Sequence, residues 1–371
     1  MDAFYASVEL ISYPELRGQA VAIGGRSEHR PLMQADGTRQ FARLGDYVGR
    51  GVLTTSTYEA RALGVFSGMG TMKAGKLAPE AILLPVNFDA YRKYSRLFKA
   101  AVASVVSCIE DRGIDEIYLD LTDEDSDTVV LAKRIKQAVR DATGLNCSIG
   151  IAPNKLLAKI CSDLEKPDGL TVLSMEDIAT RIWPLDVRKI NGIGPKAAEK
   201  LQHLGVSTIA QLAHMDTTLL QESFGRTYAI WLNQAAHGID ERAVITESET
   251  KSISRETTFA KDLHARHDRA ALSEIFTSLC NQLALDLQRK KMLARTIGIK
   301  LRYDDFKSVT RDLTLPEATA DAQRIRQAAG HCLKRVPLEK RLRLLGVKAS
   351  GLADQDDVSS VQGSRQLELD V

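Results

Sequence analysis

The sequence predicts a multidomain protein of α/β and α+β class: an α/β core, a helical middle and a C-terminal β-α-β-β-α-β unit. Three observations carry this. Helix-like and strand-like stretches alternate from about residue 88 to residue 164. From about residue 170 the apolar spacing turns helical, with Gly192-Ile193-Gly194 between two short helical runs. After a linker at about 240–250, four β-like runs are separated by two long helical ones.

The elements follow in order. Residues 3–10 start a helix, and Ala20-Val21-Ala22-Ile23 reads as a buried strand ending at Gly24-Gly25. Residues 26–51 are polar, Arg-rich and Gly-punctuated, the pattern of a surface loop or small excursion. Val52–Thr55 reads as a strand, and Tyr58–Leu63 as a helix stopped by Gly64. A helix over about 88–108 precedes Ile114–Leu121, whose apolar–polar alternation predicts a strand with acids on one face. Thr128–Thr143 is an amphipathic helix, Cys147–Ala152 a strand, and about 154–164 a helix. In the C-terminal part the strands are 252–259, 296–302, 308–315 and 343–349, and the helices about 267–290 and 318–334. The last 20 residues are acidic and rich in Ser and Gln, the composition of a flexible tail.

The 371 residues are too many for one ordinary domain and suggest about two to four. At 44% hydrophobic and 26% charged the chain reads as globular, not disordered. Net charge is +2, but residues 251–350 carry 21 Lys and Arg against 11 Asp and Glu, a balance of +10, whereas 1–250 and 351–371 come to −4 each. A basic block inside a near-neutral chain points to a polyanion partner. Cys108, Cys147, Cys161, Cys280 and Cys332 show no C-x-x-C pair and no metal spacing with His, so reduced thiols in a cytoplasmic protein are expected. No apolar run approaches 18 residues and no signal peptide opens the chain, so no membrane partner is expected, and the protein is read as a monomer.

Five stretches carry chemistry. Asp115-Glu116, with Asp2 near the start, offers hard oxygen ligands suited to Mg²⁺ and a phosphate substrate. Tyr58 and Arg61 share a helical face, and both donate hydrogen bonds to phosphate oxygens. Lys155, Lys159 and Lys166 surround a helix and the Pro167-Asp168-Gly169 turn, and Lys166 can project as a point charge for phosphate. Gly192, Gly194 and Pro195, followed by Lys196 and Lys200, read as a helix-hairpin-helix that grips a DNA backbone without reading sequence. The C-terminal Gln366-Leu367-Glu368-Leu369-Asp370-Val371 has the form of a docking peptide.

Taken together, Met1-Asp2-Ala3-Phe4-Tyr5-Ala6-Ser7-Val8-Glu9, Tyr58-Glu59-Ala60-Arg61, Gly113-Ile114-Asp115-Glu116-Ile117-Tyr118-Leu119-Asp120, Gly150-Ile151-Ala152-Pro153-Asn154-Lys155 and Lys166-Pro167-Asp168-Gly169 resemble, in this order, the Y-family DNA polymerases. The resemblance covers nearly the whole chain. It implies a right-hand polymerase with a palm (1–10 and 78–166), fingers (11–77), thumb (167–240) and little finger (250–350), and a tail (351–371) carrying a peptide for the sliding clamp. It implies error-prone translesion synthesis on primer-template DNA from dNTPs, with two Mg²⁺ ions and no proofreading.

Residue by residue, the resemblance makes Asp115 a metal ligand, Glu116 the adjacent catalytic and metal-site carboxylate, and Met1 part of the metal site. Tyr5 matches the steric gate that would clash with a ribose 2′-OH. Phe4, Tyr58, Arg61 and Lys166 match nucleotide-binding residues. Gly192, Gly194 and Lys196 would contact DNA, and Gln366, Leu367 and Leu369 the clamp. The chain departs from the family at its start. The pattern is Asp-x-Asp-x-Phe-(Phe or Tyr), Met1 takes the first x, and the first Asp would precede it. Loss of that ligand is expected to slow the chemistry on the order of 10³-fold. The expectation is a start upstream of Met1; the alternative is an impaired homologue that binds DNA or clamp. Gly113 replaces the usual Ser, the 26–51 segment is longer than usual, and Asp370-Val371 replaces an aromatic ending.

Overall fold

The computed structural model describes residues 1–124 and 126–355. It divides into two compact units, Met1–Glu247 and Ser248–Val371. Among the described residues no helix is long and apolar enough to cross a membrane, and all five cysteines are free.

The first unit is built from several small cores. Strand Val21–Gly25 pairs in parallel with Ile82–Pro85 and antiparallel with Thr55–Ser56, and Ala42–Arg43 pairs antiparallel with the far side of Ile82–Pro85. Helices Phe4–Ser12 and Phe88–Ala103 pack beside this sheet through Phe4, Val8, Ile23, Leu84 and Tyr91. Helices Phe88–Ala103 and Thr128–Thr143 share a second core through Phe98, Val102, Leu131, Ile135 and Val139. Their apolar residues recur at helical spacing, Asp127 caps the second helix by accepting from Val129 and Val130 N–H, and Gly144 ends it in the left-handed region.

Several expectations are corrected here. The predicted strand 114–121 is a hairpin of Ile109–Asp111 and Ile117–Leu119, with Asp115 and Glu116 in its turn. The acids therefore do not alternate across a strand. The predicted strand 52–55 shifts to Thr55–Ser56, and Val52 only bridges Gly70. The 26–51 excursion contains a hairpin, Leu32–Met33 with Arg39–Gln40, besides the edge strand Ala42–Arg43. The α/β core consists of several small sheets, in one of which Ile149–Ile151 pairs in parallel with Leu170–Val172. Helix Lys155–Leu164 lies so close on that pair that a Cβ at Gly150 would meet Ala158 O at 2.3 Å. Only glycine permits this approach.

Residues 178–236 are helical around Ile190, Leu201, Ile209, Leu212, Leu220 and Leu232. The leading arm of the predicted helix-hairpin-helix is a single 3₁₀ turn, Val187–Lys189, and the following arm is helix Pro195–His203.

The second unit has the predicted β-α-β-β-α-β order with longer strands, Ser252–Leu263, Met292–Tyr303, Ser308–Thr319 and Leu342–Asp354. They form one antiparallel sheet in which Leu342–Asp354 lies between the first two of these strands and Ser308–Thr319 forms an edge. Helices Arg269–Arg289 and Ala322–Leu333 cover one face through Leu283, Leu287, Ile325, Ile297, Leu301 and Val347. The second helix starts at 322 and not 318 because the strand runs on to Thr319 and Asp321 caps the helix by accepting from Arg324 N–H.

Candidate active site

Asp115 and Glu116 line a cavity of about 720 Å³, together with Met1, Ser148, Lys159 and Lys166. Among the described residues the Asp115 carboxylate makes no hydrogen bond or ion pair. Glu116 is held by Lys159 Nζ at 2.5 Å. Burial works to lower the pKa of Lys159, but the Glu116 hydrogen bond and the Asp163 charge override it and hold the ammonium above its ordinary value. The Met1 ammonium donates to Asp115 O at 2.8 Å, and burial lowers its pKa.

Asp2 belongs to the framework and not to the site. It is 3% exposed and accepts from Ser148 Oγ at 2.8 Å and from Asp168 N–H at 2.8 Å, so it ties the chain start to the 166–169 turn. The expected partnership of Asp2 with Asp115 and Glu116 is not formed.

Tyr5 lies near Asp115. Its pKa is raised by burial first and by the Asp115 charge second. Its ring stacks on Tyr91 at 4.1 Å and meets Phe88 edge-on at 6.1 Å. Tyr91 is fully buried and donates to Glu9 at 2.6 Å, so the Tyr5 ring rests on a fixed wall. The side chain of Phe4 is buried in the core against Phe98.

Helix Tyr58–Ala62 brings the third group. Thr57 caps it, and the Arg61 guanidinium lies 4.8 Å over the Tyr58 ring, with one long hydrogen bond to Thr55 Oγ1. The Tyr58 hydroxyl is buried with no hydrogen bond of ordinary geometry. Its pKa is raised by burial first and the Asp2 charge second. Lys166 Nζ meets Asp163 at 2.6 Å. Lys155 is buried against Glu110 at 2.7 Å and donates to Ala243 O. That buried pair fixes the hairpin strand Ile109–Asp111 beside helix Lys155–Leu164.

Among the described residues no three His, Cys, Asp or Glu side chains form a ready metal cage. Two adjacent carboxylates, one of them unpartnered, fit the Mg²⁺ habit of taking one or two carboxylates and completing its shell with phosphate and water.

The model of the impB/mucB/samB family matches residues 1–163, that of its C-terminal domain residues 250–369, and that of its helix-hairpin-helix motif residues 176–206. DNA polymerase IV of Alkalilimnicola ehrlichii is 37% identical over 357 residues, 95% of this chain and 93% of that protein. DNA polymerase IV 1 of Bacillus subtilis is 35% identical, over 100% of this chain and 83% of that one. A solved Y-family DNA polymerase chimera of Dbh and Dpo4 superposes with a TM-score of 0.76 at 25% identity, covering 95% of this chain and 97% of its own. The chain belongs to the Y-family DNA polymerases.

For a Y-family member, the helix-hairpin-helix has a feature the spacing did not reveal. A Cβ at Gly192 would meet the Trp231 ring at 2.7 Å, and Gly192 O accepts from Tyr228 Oη at 2.9 Å. Packing thus demands this glycine independently of any phosphate. Gly194 has open space around it, and Lys196 is exposed. Gly192→Ala is expected to destabilise residues 187–203 by about 2 kcal/mol, through the positive φ and the ring clash. Melting of the variant by circular dichroism checks this; an unchanged midpoint would contradict it. Sequence reasoning gave no role to Glu9, which only closes the first motif, and missed Tyr91 and Asp163, which lie in none of the motifs. Gln366, Leu367 and Leu369 lie outside the described residues.

Proposed function

We propose that the protein is a template-directed, error-prone translesion DNA polymerase that extends a primer 3′-end from dNTPs. The observation that carries this reading is the unpartnered Asp115 carboxylate beside Lys-held Glu116 in one cavity that Lys166 also lines, with Tyr58, under the Arg61 guanidinium, near enough to Asp163, the partner of Lys166, to feel its charge.

The residues divide the work. Tyr58, Arg61 and Lys166 bind the triphosphate, and the buried, orphaned Tyr58 hydroxyl supports this because a phosphate oxygen would satisfy it. Tyr5, backed by Tyr91, lies under the sugar, with Phe4 contributing backbone. Asp115 and Glu116, with Met1 beside them, hold divalent metal, assigned as two Mg²⁺ ions. When bound, Mg²⁺ supplies Lewis-acid stabilisation of the attacking 3′-oxygen and of the leaving pyrophosphate.

DNA is gripped through charge and backbone N–H groups at Gly192, Gly194 and Lys196, and along the sheet face opposite the helices of the second unit. Strand alternation turns Lys300 and Arg302 to that face while Ile299 and Leu301 face the core. The palm is assigned to 1–10 and 78–166, the fingers to 11–77, the thumb to 167–240 and the little finger to 250–350. The sequence Gln366-Leu367-Glu368-Leu369 is assigned to the clamp and the enzyme to a monomer. A non-catalytic DNA- or clamp-binding role is not favoured, since the relatives matched over more than nine-tenths of their length are polymerases.

Primer extension on a primed template with Mg²⁺ and dNTPs tests the proposal; no incorporation, even with a carboxylate added ahead of Met1, would end it. Tyr5→Ala is expected to raise ribonucleotide relative to deoxynucleotide insertion about a hundredfold, because removing the ring opens space for a 2′-OH. Unchanged sugar discrimination would remove Tyr5 from the gate.

A further inference from the structure

The metal-site and triphosphate residues are joined by a row of alternating charges. Lys159 reaches Glu116 at 2.5 Å and Asp163 at 3.6 Å, and Asp163 holds Lys166 at 2.6 Å. The order is Glu116, Lys159, Asp163, Lys166. Helix spacing produces it: Lys159 and Asp163 are one turn apart on helix Lys155–Leu164, and Lys166 lies three residues on, past the helix end. The helix itself is pinned at Gly150, so the row has a fixed origin.

We propose that Asp163 is a positioning residue for the nucleotide site: it presents Lys166 to the incoming triphosphate and shares Lys159, so that Glu116 is not the sole acid on that lysine. This rests on the polymerase reading. Lysine is a point charge on a flexible four-carbon stem, so its placement depends on a partner. Asp163 lies between two ammonium groups, close to both. Without its charge the two lysines repel each other, Lys166 loses its anchor, and Lys159 is left with Glu116 as its acidic partner. Glu116 would then have to leave a tighter ion pair to meet a divalent cation.

The test uses the full chain on a primer-template whose primer ends in a dideoxynucleotide, so that dNTP binding is read without chemistry. Asp163→Asn is expected to weaken dNTP binding five- to tenfold, with primer-template affinity and melting temperature unchanged. In a Lys166→Ala background the same substitution is expected to add less than twofold. Asp163→Glu is expected to restore binding to within twofold. With an extendable primer, the Mg²⁺ concentration giving half-maximal insertion is expected to rise several-fold in Asp163→Asn. Unaltered dNTP affinity in Asp163→Asn, or an equal loss in the Lys166→Ala background, would overturn the proposal. If the unaltered protein binds primer-template but no dNTP, the polymerase reading fails and the positioning role with it.

Discussion

Asp115→Asn is expected to slow nucleotide insertion by about 10³-fold while leaving the fold and DNA affinity intact. The substitution keeps shape and removes charge. Asp115 is in the turn between Ile109–Asp111 and Ile117–Leu119, and its carboxylate accepts no hydrogen bond among the described residues. Stability should therefore change by no more than about 0.5 kcal/mol. Catalysis should change far more, because a charge aimed at a divalent ion in a cleft acts where the transition state gathers negative charge. Losing it raises the barrier by about 4 kcal/mol, which is 10³ in rate. Single-turnover extension beside a melting curve separates the two effects. A rate within tenfold of the unaltered protein would exclude Asp115 from the metal site. Glu116→Gln is a different case: it also breaks the pair with Lys159, which is partly exposed and contributes little to stability.

What could be read from the sequence divides along physical lines. The C-terminal unit was legible because two long amphipathic helices and four β-rich runs each bury one face, and burial imposes periodicity. The contact of Tyr58 with Arg61 was legible because the two are three residues apart on one helix. The turn at Asp115-Glu116 was not. Its apolar–polar alternation is that of a strand, and only the pairing of Ile109–Asp111 with Ile117–Leu119 places the acids at the bend. Asp2 was misread for a similar reason. A carboxylate near two others looks like a ligand until its Ser148 and Asp168 partners, more than 140 residues away in sequence, are brought beside it. The burial of Lys155 was not legible either, because its counter-charge, Glu110, is 45 residues distant in sequence. Long-range pairing is invisible to local pattern, and the buried polar groups are where it matters most.

Met1 N–H donates to Asp115 O at 2.8 Å and Asp2 N–H donates to Asn146 O at 3.2 Å. Met1 and Asp2 thus reach the hairpin turn on one side and a residue ahead of the Ile149–Ile151 strand on the other by single hydrogen bonds, without forming a strand themselves. On the hairpin side, Glu116 O accepts from Arg112 and Asp120 N–H donates to Cys108 O, which turns the backbone groups of Ile117 and Leu119 away from their partner strand. They face the cavity, whose walls include Phe98, Val102, Ile135, Val139 and Ile149. About five residues at 3.3 Å each would run the length of Ile117–Leu121 there. Five alternately apolar residues joined ahead of Met1 are therefore expected to pair with both edges and to replace a buried ammonium with a peptide N–H. The melting temperature should rise by about 5 °C or more. If the residue joined to Met1 is Asp, it restores the first carboxylate of the family pattern, and insertion should rise on the order of 10³-fold over the same extension ending in Asn. Both extensions should raise the melting temperature, and only the Asp form should raise the rate. Equal rates for the two would show that the carboxylate set is complete without it, and an unchanged melting temperature would show that the cavity does not accept a strand.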